Sequence, residues 1–193
     1  MIGEEIYNLA KQEMDGEEFE SEEDALRAMN VAYRKILAER IWEILKKTTT
    51  LAAGTTSLAG IIALDFVIRL WATKGKSNDE IELTKGNFGD RYDYNIDMDY
   101  WIDLANNQIG FRYSDVWDEY DLITDYKYKP DALTMETEPV FPEDYHPRIA
   151  YEMVMAFKRG DESFDGYAEV ERKNNELAEL MTDWNEGLKE CNY

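Results

Sequence analysis

Apolar and polar positions along this chain alternate between two periods. From Ser21 onward Ala25, Leu26, Met29, Ala32, Tyr33, Ile36, Leu37, Ile41, Ile44 and Leu45 recur every three or four residues, the stripe of an amphipathic helix. Ser21 is a good N-cap, Glu22 to Asp24 suit the positive end of the helix dipole, and Lys46 and Lys47 suit the negative end. The spacing predicts a helix over residues 22–47. A shorter one over 2–14 places Ile2, Ile6, Leu9 and Ala10 on one face and stops at Asp15-Gly16.

The middle of the chain changes to a period of two. Thr48–Leu51 and Thr55–Leu58 are β-prone around Ala53-Gly54 and predict a hairpin, and Asp65–Thr73 predicts another strand. Tyr92, Tyr94, Ile96, Met98 and Tyr100 alternate with Asp93, Asn95, Asp97 and Asp99. Tyr120, Leu122, Tyr126 and Tyr128 likewise share a face opposite Asp121, Asp125, Lys127 and Lys129. Such alternation predicts an antiparallel sheet with one wet face.

All four prolines fall between Pro130 and Pro147, a stiff junction after which the helical period returns. Ile149, Ala150, Met153, Val154 and Phe157 mark a helix over 145–159, with Gly160 as its C-cap and a tight turn at Asp161. A last helix over 163–190 carries a heptad seam of Tyr167, Val170, Asn174, Leu177, Met181, Trp184 and Leu188. That seam packs along the 145–159 helix or along another chain. The fold class is α+β: two N-terminal and two C-terminal helices with an inserted antiparallel β region. The divisions are 1–47, 48–130 and 131–193.

Charge narrows the functional classes. The chain has 193 residues, 44% of them apolar, and 21 basic against 42 acidic side chains leave a net −21. A general nucleic-acid binder needs a basic footprint, which this composition does not offer. The lone cysteine, Cys191, forms no internal disulfide and has no base beside it in sequence, so an oxidising compartment is not indicated. The acidic start lacks a secretory signal's positive charge, and the apolar run Leu58–Ala72 is split by Asp65 and Arg69, so neither export nor a membrane is expected.

Chemical motifs are sparse. The many carboxylates offer acid/base pairs, but spacing singles out none. His146 is the only histidine, too few for a two-histidine metal site, and its plainest role is to bond backbone or solvent where a helix begins. Asp93, Asn95 and Asp97 match the start of an EF-hand loop, yet Met98 replaces its glycine and Leu104 its glutamate. Lys85-Gly86-Asn87-Phe88-Gly89 lacks the phosphate-loop ending and reads as a turn. No catalytic residue, metal or cofactor is expected. The 13 Tyr, 5 Trp and 7 Phe fit a core and a subunit interface equally, with carbohydrate stacking a weaker third use.

The order of parts resembles a known group. An acidic N-terminal helix is followed by a helix carrying Ala28-Met29-Asn30-Val31-Ala32-Tyr33 and closing at Trp42. Next come Ala53-Gly54-Thr55-Thr56-Ser57-Leu58, irregular β structure, and Tyr126–Thr134 followed by Pro139–His146 and a helix pair. This organisation, over roughly residues 20–185 but not 74–118, resembles the head-to-tail adaptor (connector, or tail-tube gatekeeper) proteins of tailed bacteriophages. The resemblance implies a non-enzymatic virion protein, assembled in the host cytoplasm into a homo-oligomeric ring, commonly a dodecamer. Such a ring docks beneath the portal protein at the capsid vertex, extends the channel through which double-stranded DNA passes without specific binding, and receives the next tail or nozzle protein. It further implies portal or subunit contact at Leu177, Met181, Trp184, Leu188 and Tyr193, and tail contact at Tyr92, Tyr94, Tyr100 and Trp101. The competing reading is an acidic DNA mimic that occupies and inhibits a host DNA-processing protein.

Overall fold

The computed structural model describes residues 1–61, 64–73, 80–103, 105–113, 117–159 and 164–191. Among them are four α-helices, α1 (Gly3–Glu13), α2 (Glu22–Ala38), α3 (Pro147–Phe157) and α4 (Tyr167–Cys191). Among the described residues six strands lie between α2 and α3, and their pairings are antiparallel. The chain is therefore α+β, and it divides into two compact units, Met1–Ile44 with Pro130–Tyr193 and Leu45–Lys129.

The helical unit forms because each helix buries one stripe. Ile6 and Ala10 of α1, Met29, Tyr33 and Ile36 of α2, and Ile149, Met153 and Val154 of α3 are all sealed from solvent. Helix α1 ends where Asp15 and Gly16 take positive φ, 58° and 87°. Its first N–H groups, which no helical carbonyl can satisfy, donate outside the helix: Gly3 to Thr137 O at 3.0 Å and Glu4 to Met135 O at 2.9 Å. Only glycine permits this approach, since a Cβ at residue 3 would stand 2.1 Å from Thr134 O.

Helix α2 starts as its cap requires, with Ser21 Oγ accepting the Asp24 N–H at 3.1 Å. It stops at Ala38, nine residues before the expected end at 47. Trp42 explains the stop. Its indole is fully buried, packs edge-on against Phe141 with centroids 5.1 Å apart, and donates its N–H to Ile36 O at 2.9 Å. That bond satisfies a last-turn carbonyl from outside the helix axis, and a 3-10 turn, Glu43–Leu45, follows.

Lys46 and Lys47, expected at a helix end, instead begin β1 (Lys46–Leu51). This strand pairs with β6 (Asp121–Tyr128), which pairs in turn with β2 (Leu64–Thr73), and β3 (Glu80–Glu82) closes the order β1-β6-β2-β3. On β6 the even positions Leu122, Thr124 and Tyr126 face the core, as the alternation predicts. Asp125, on the other face, holds both neighbours, accepting from Thr48 Oγ1 at 2.6 Å and Arg69 Nε at 3.1 Å. A separate ladder joins β4 (Tyr100–Asp103) to β5 (Gln108–Phe111).

Two β expectations need correction. The turn at Ala53-Gly54 exists, with Gly54 at φ 74° and Thr55 N–H on Ala52 O, but its second arm is not a strand paired with β1. Thr56 and Leu58 bond instead to Ile109 and Asn107. The alternating segment 92–99 is not a strand either. Asp93 Oδ1 accepts the Asn95 N–H at 3.0 Å, a local turn that competes with ladder pairing. Arg112 fastens it by donating to the carbonyls of Asp93 and Ile96.

Helix α3 occupies 147–157 within the expected 145–159, and a 3-10 turn, Glu143–Tyr145, precedes it. Helix α4 begins at Tyr167, four residues later than expected. Gly160, Asp161 and Leu104 lie outside the described residues.

Candidate functional site

The seam of α4 packs against α3 within the chain. Val170, Asn174, Met181 and Asn185 are its buried line, while Leu177, Trp184 and Leu188 are half-buried. A straight helix turns every 3.6 residues, so a seam written with period 3.5 drifts, and by its last turns the buried position has passed from Trp184 to Asn185. Asn185 was not legible as a functional residue from the apolar pattern because its role is polar: its Oδ1 accepts the Glu43 N–H at 2.7 Å.

Met181 belongs to this core and is not a contact surface. It is wholly buried, and its Sδ lies 3.7 Å from Arg148 Nη1. Arg148, also buried, makes an ion pair with Glu39 just past α2. Trp184 packs against Tyr145 with centroids 5.5 Å apart and ring planes tilted by 45°, and it is half-buried. Tyr193, the last expected contact residue, lies outside the described residues.

A second buried polar group joins three helices. Glu152 of α3, 5% exposed, accepts from Lys35 Nζ of α2 at 2.5 Å and from Asn174 Nδ2 of α4 at 3.0 Å. Its charge is thus neutralised and hydrogen-bonded, as a buried carboxylate must be. Lys173 of α4 makes a two-pronged pair with Glu13 of α1 at 2.8 and 2.9 Å, and the bond to Glu13 raises the lysine's pKa. His146 sits with Nδ1 2.9 Å from Met1 O and Nε2 2.7 Å from Phe141 O. It is 2% exposed, so its ring serves backbone carbonyls where α3 begins.

The expected tail-contact residues separate into two kinds. Tyr92 and Tyr94 are 76% and 79% exposed, on the turn that Arg112 fastens. Phe88 and Tyr113 are also exposed, and Arg91 lies over Phe88 and Tyr92 at 3.9 and 4.6 Å from their centroids. Tyr100 is the opposite: fully buried in the β core, its hydroxyl pKa pushed up to about 12 by burial, with Glu82 adding to the shift. It is not a docking residue. Trp101 is half-buried and lays its ring across Gly110, its cross-strand partner, where a Cβ would be 2.3 Å from the indole.

Net charge is divided unevenly between the units. The helical unit holds 28 acids and 11 bases, a net −17, whereas the β unit holds 14 acids and 10 bases, a net −4. Glu143 and Glu169 are held below the ordinary carboxyl range, the first by a hydrogen bond from the N-terminal ammonium, the second by one from Arg172. Carboxylates fixed in the charged form by neighbouring cations suit ion pairing rather than proton donation. Among the described residues no three His, Cys, Asp or Glu side chains gather as a metal-holding group, and no helix is long and apolar enough to cross a membrane. No protein-family model matches the chain, and no curated protein matches it.

Proposed function

We propose that this chain is a head-to-tail adaptor: a non-enzymatic subunit of a ring that docks under a phage portal, continues the DNA conduit and receives the next tail component. The observation that carries the reading is the division of labour between the units. A helical unit of net −17 offers DNA a wall to which it does not stick, and a nearly neutral β unit presents Phe88, Tyr92, Tyr94 and Tyr113 to solvent. Amphipathic aromatics fixed by arginine suit a protein-docking patch. A DNA mimic would instead be marked by carboxylates in regularly spaced rows on one exposed face.

In this reading the helical unit forms the ring body, the half-buried Leu177, Trp184 and Leu188 of α4 meet portal or neighbouring subunits with the part of their surface left in solvent, and the Tyr92–Tyr94 turn meets the tail. Sedimentation of the purified chain mixed with portal protein tests it: a co-sedimenting ring is the expected result. Absence of any complex, together with normal tailed particles when the protein is removed from virions, overturns it. A DNA mimic would instead remain a monomer or dimer and bind a host DNA-processing protein.

A further inference from the structure

His146, the single histidine of the chain, stands between two backbone carbonyls. Its Nδ1 is 2.9 Å from Met1 O, its Nε2 is 2.7 Å from Phe141 O, and the residue is 2% exposed. A carbonyl oxygen only accepts, so each contact needs a hydrogen on the ring nitrogen. A neutral imidazole carries one such hydrogen and leaves its other nitrogen a bare acceptor. In that form one of the two contacts sets lone pair against lone pair in the interior, where an unmade bond is most costly. Both bonds exist together only when the ring holds both protons.

The two bonds are unequal. The one to Phe141 is shorter and buried, and Phe141 is itself fixed by edge-on packing against Tyr33 and Trp42. The one to Met1 is part-buried. A ring left with one proton therefore keeps Phe141 and loses Met1. Beyond Met1, α1 retains its own fastening, Gly3 to Thr137 O and Glu4 to Met135 O, so the loss is confined to Met1 and Ile2. We propose that His146 is a proton-operated clasp: doubly protonated it ties Met1 to Phe141 across the head of α3, and on release of one proton it frees the Met1 end.

The charges on the elements around the ring suit the cation. Glu143 and Asp144 precede it on the 3-10 turn, and Glu4 and Glu5 open α1. Against them stand the terminal ammonium, whose N–H donates to Glu143 Oε1 at 3.0 Å, and Arg148 of α3, which is paired with Glu39. Glu152, further along α3, is engaged by Lys35 and Asn174. Both cations are thus offset by carboxylates of their own. The clasp needs neither portal nor a second copy, so it stands apart from the adaptor reading.

Nuclear magnetic resonance of the full chain under a pH titration tests it, and a single histidine makes the ring signals unambiguous. At pH 7 an exposed imidazole, which gives up its second proton near about pH 6.5, is mostly neutral. Here both ring nitrogens should still give the signals of protonated nitrogen. Raising the pH to 9 should convert the Nδ1 signal to that of a bare nitrogen. The Met1 carbonyl carbon should shift with the same midpoint, and the Phe141 carbonyl carbon should move far less. The terminal ammonium titrates in this range as well, so the Met1 shift that counts is the one following the ring signal in the parent and absent from His146→Gln. Coincidence of the two midpoints in the parent decides the matter even where that variant folds poorly. A bare ring nitrogen at pH 7, a ring that keeps both protons to pH 9, or a ring titration that leaves the Met1 carbonyl unmoved overturns the proposal.

Discussion

Asn30 holds Leu133 by both of its backbone groups: Nδ2 donates to Leu133 O at 2.9 Å and Oδ1 accepts the Leu133 N–H at 2.8 Å, across 103 residues of sequence. The side-chain amide acts as one more peptide, pairing an extended segment to the flank of α2. Asn30→Ala removes both bonds and leaves two part-buried backbone groups without a partner, for an expected loss of about 2–3 kcal/mol. Asn30→Asp keeps the acceptor, loses the donor and places a carboxylate against a carbonyl. Urea denaturation should show both variants destabilised with unchanged dependence on denaturant.

Lys35 is 58% exposed on its side chain, which ordinarily makes a lysine dispensable, but its partner Glu152 is buried. Lys35→Ala should therefore cost about 2–3 kcal/mol, well above a surface pair, because a charge is left in the interior with only the Asn174 amide. Adding Glu152→Gln removes that charge. The double variant should be more stable than Lys35→Ala alone, and thermal melts of the four-member cycle measure the difference.

Tyr100 makes the fold sensitive to alkali in a defined window. Its hydroxyl ionises near pH 10 when unfolded and near 12 when folded, so between these values the unfolded chain has released a proton that the folded chain retains. Stability from this group is complete below pH 10 and falls as pH rises toward 12, by an amount of order 2–3 kcal/mol at full ionisation. Tyr100→Phe should flatten that limb. Urea midpoints at pH 9, 10 and 11 compare the two proteins, and an equal decline in both would contradict the assignment.

Gly110 exists for Trp101. A methyl group at residue 110 would enter the indole ring, so Gly110→Ala must displace the tryptophan or part the β4–β5 ladder, at an expected cost of about 1–3 kcal/mol. Trp101→Ala with Gly110→Ala should recover part of the loss, because the clash disappears with the ring. Tryptophan fluorescence reports the displacement in the single variant.

Tyr92 and Tyr94 carry the opposite prediction. Both are largely in solvent, so Tyr92→Ala with Tyr94→Ala should leave the melting temperature within a degree or two of the parent. Docking of the tail component to preformed rings should weaken at least tenfold. Unchanged docking would remove this turn from the proposed interface.

The sequence made the helices legible and the strand partners much less so. Helix signals are local: Ser21 with its three acids, the Asp15-Gly16 stop and the stripe of α3 all lie within a turn or two of what they specify. Ile41, Ile44 and Leu45 keep helical spacing past the true end of α2, but the stop is set by Trp42, whose ring packs on Phe141 from a distant part of the chain, a contact that a periodic pattern does not encode. Pairing of Lys46 with Lys127 spans the whole insertion, so nothing near Thr48 distinguishes it from a hairpin at Gly54. The alternation from Tyr92 to Met98 satisfied a strand pattern, yet the Asp93 side chain had a nearer donor in Asn95 N–H.

The candidate site was legible to a similar degree. Exposure of Tyr92 and Tyr94 follows from their position on a turn, whereas burial of Met181 and Tyr100 depends on Arg148 and on the β core, which distant segments provide. A groove between α2 and α3, lined among others by Val31, Met155 and Ala156, left no mark in the sequence pattern. Val31 lies off the apolar stripe of its helix, and its surroundings arise only when Met155 and Ala156 arrive from the far end of the chain.

Strands β1 and β6 run side by side with Lys46 opposite Lys127, so the long excursion between them departs and returns at adjacent points. A segment anchored in this way behaves as a cartridge. Turns can lengthen, aromatics can be exchanged, and a different sheet can be spliced in, with the helices on either side of the splice still joined across the same short span.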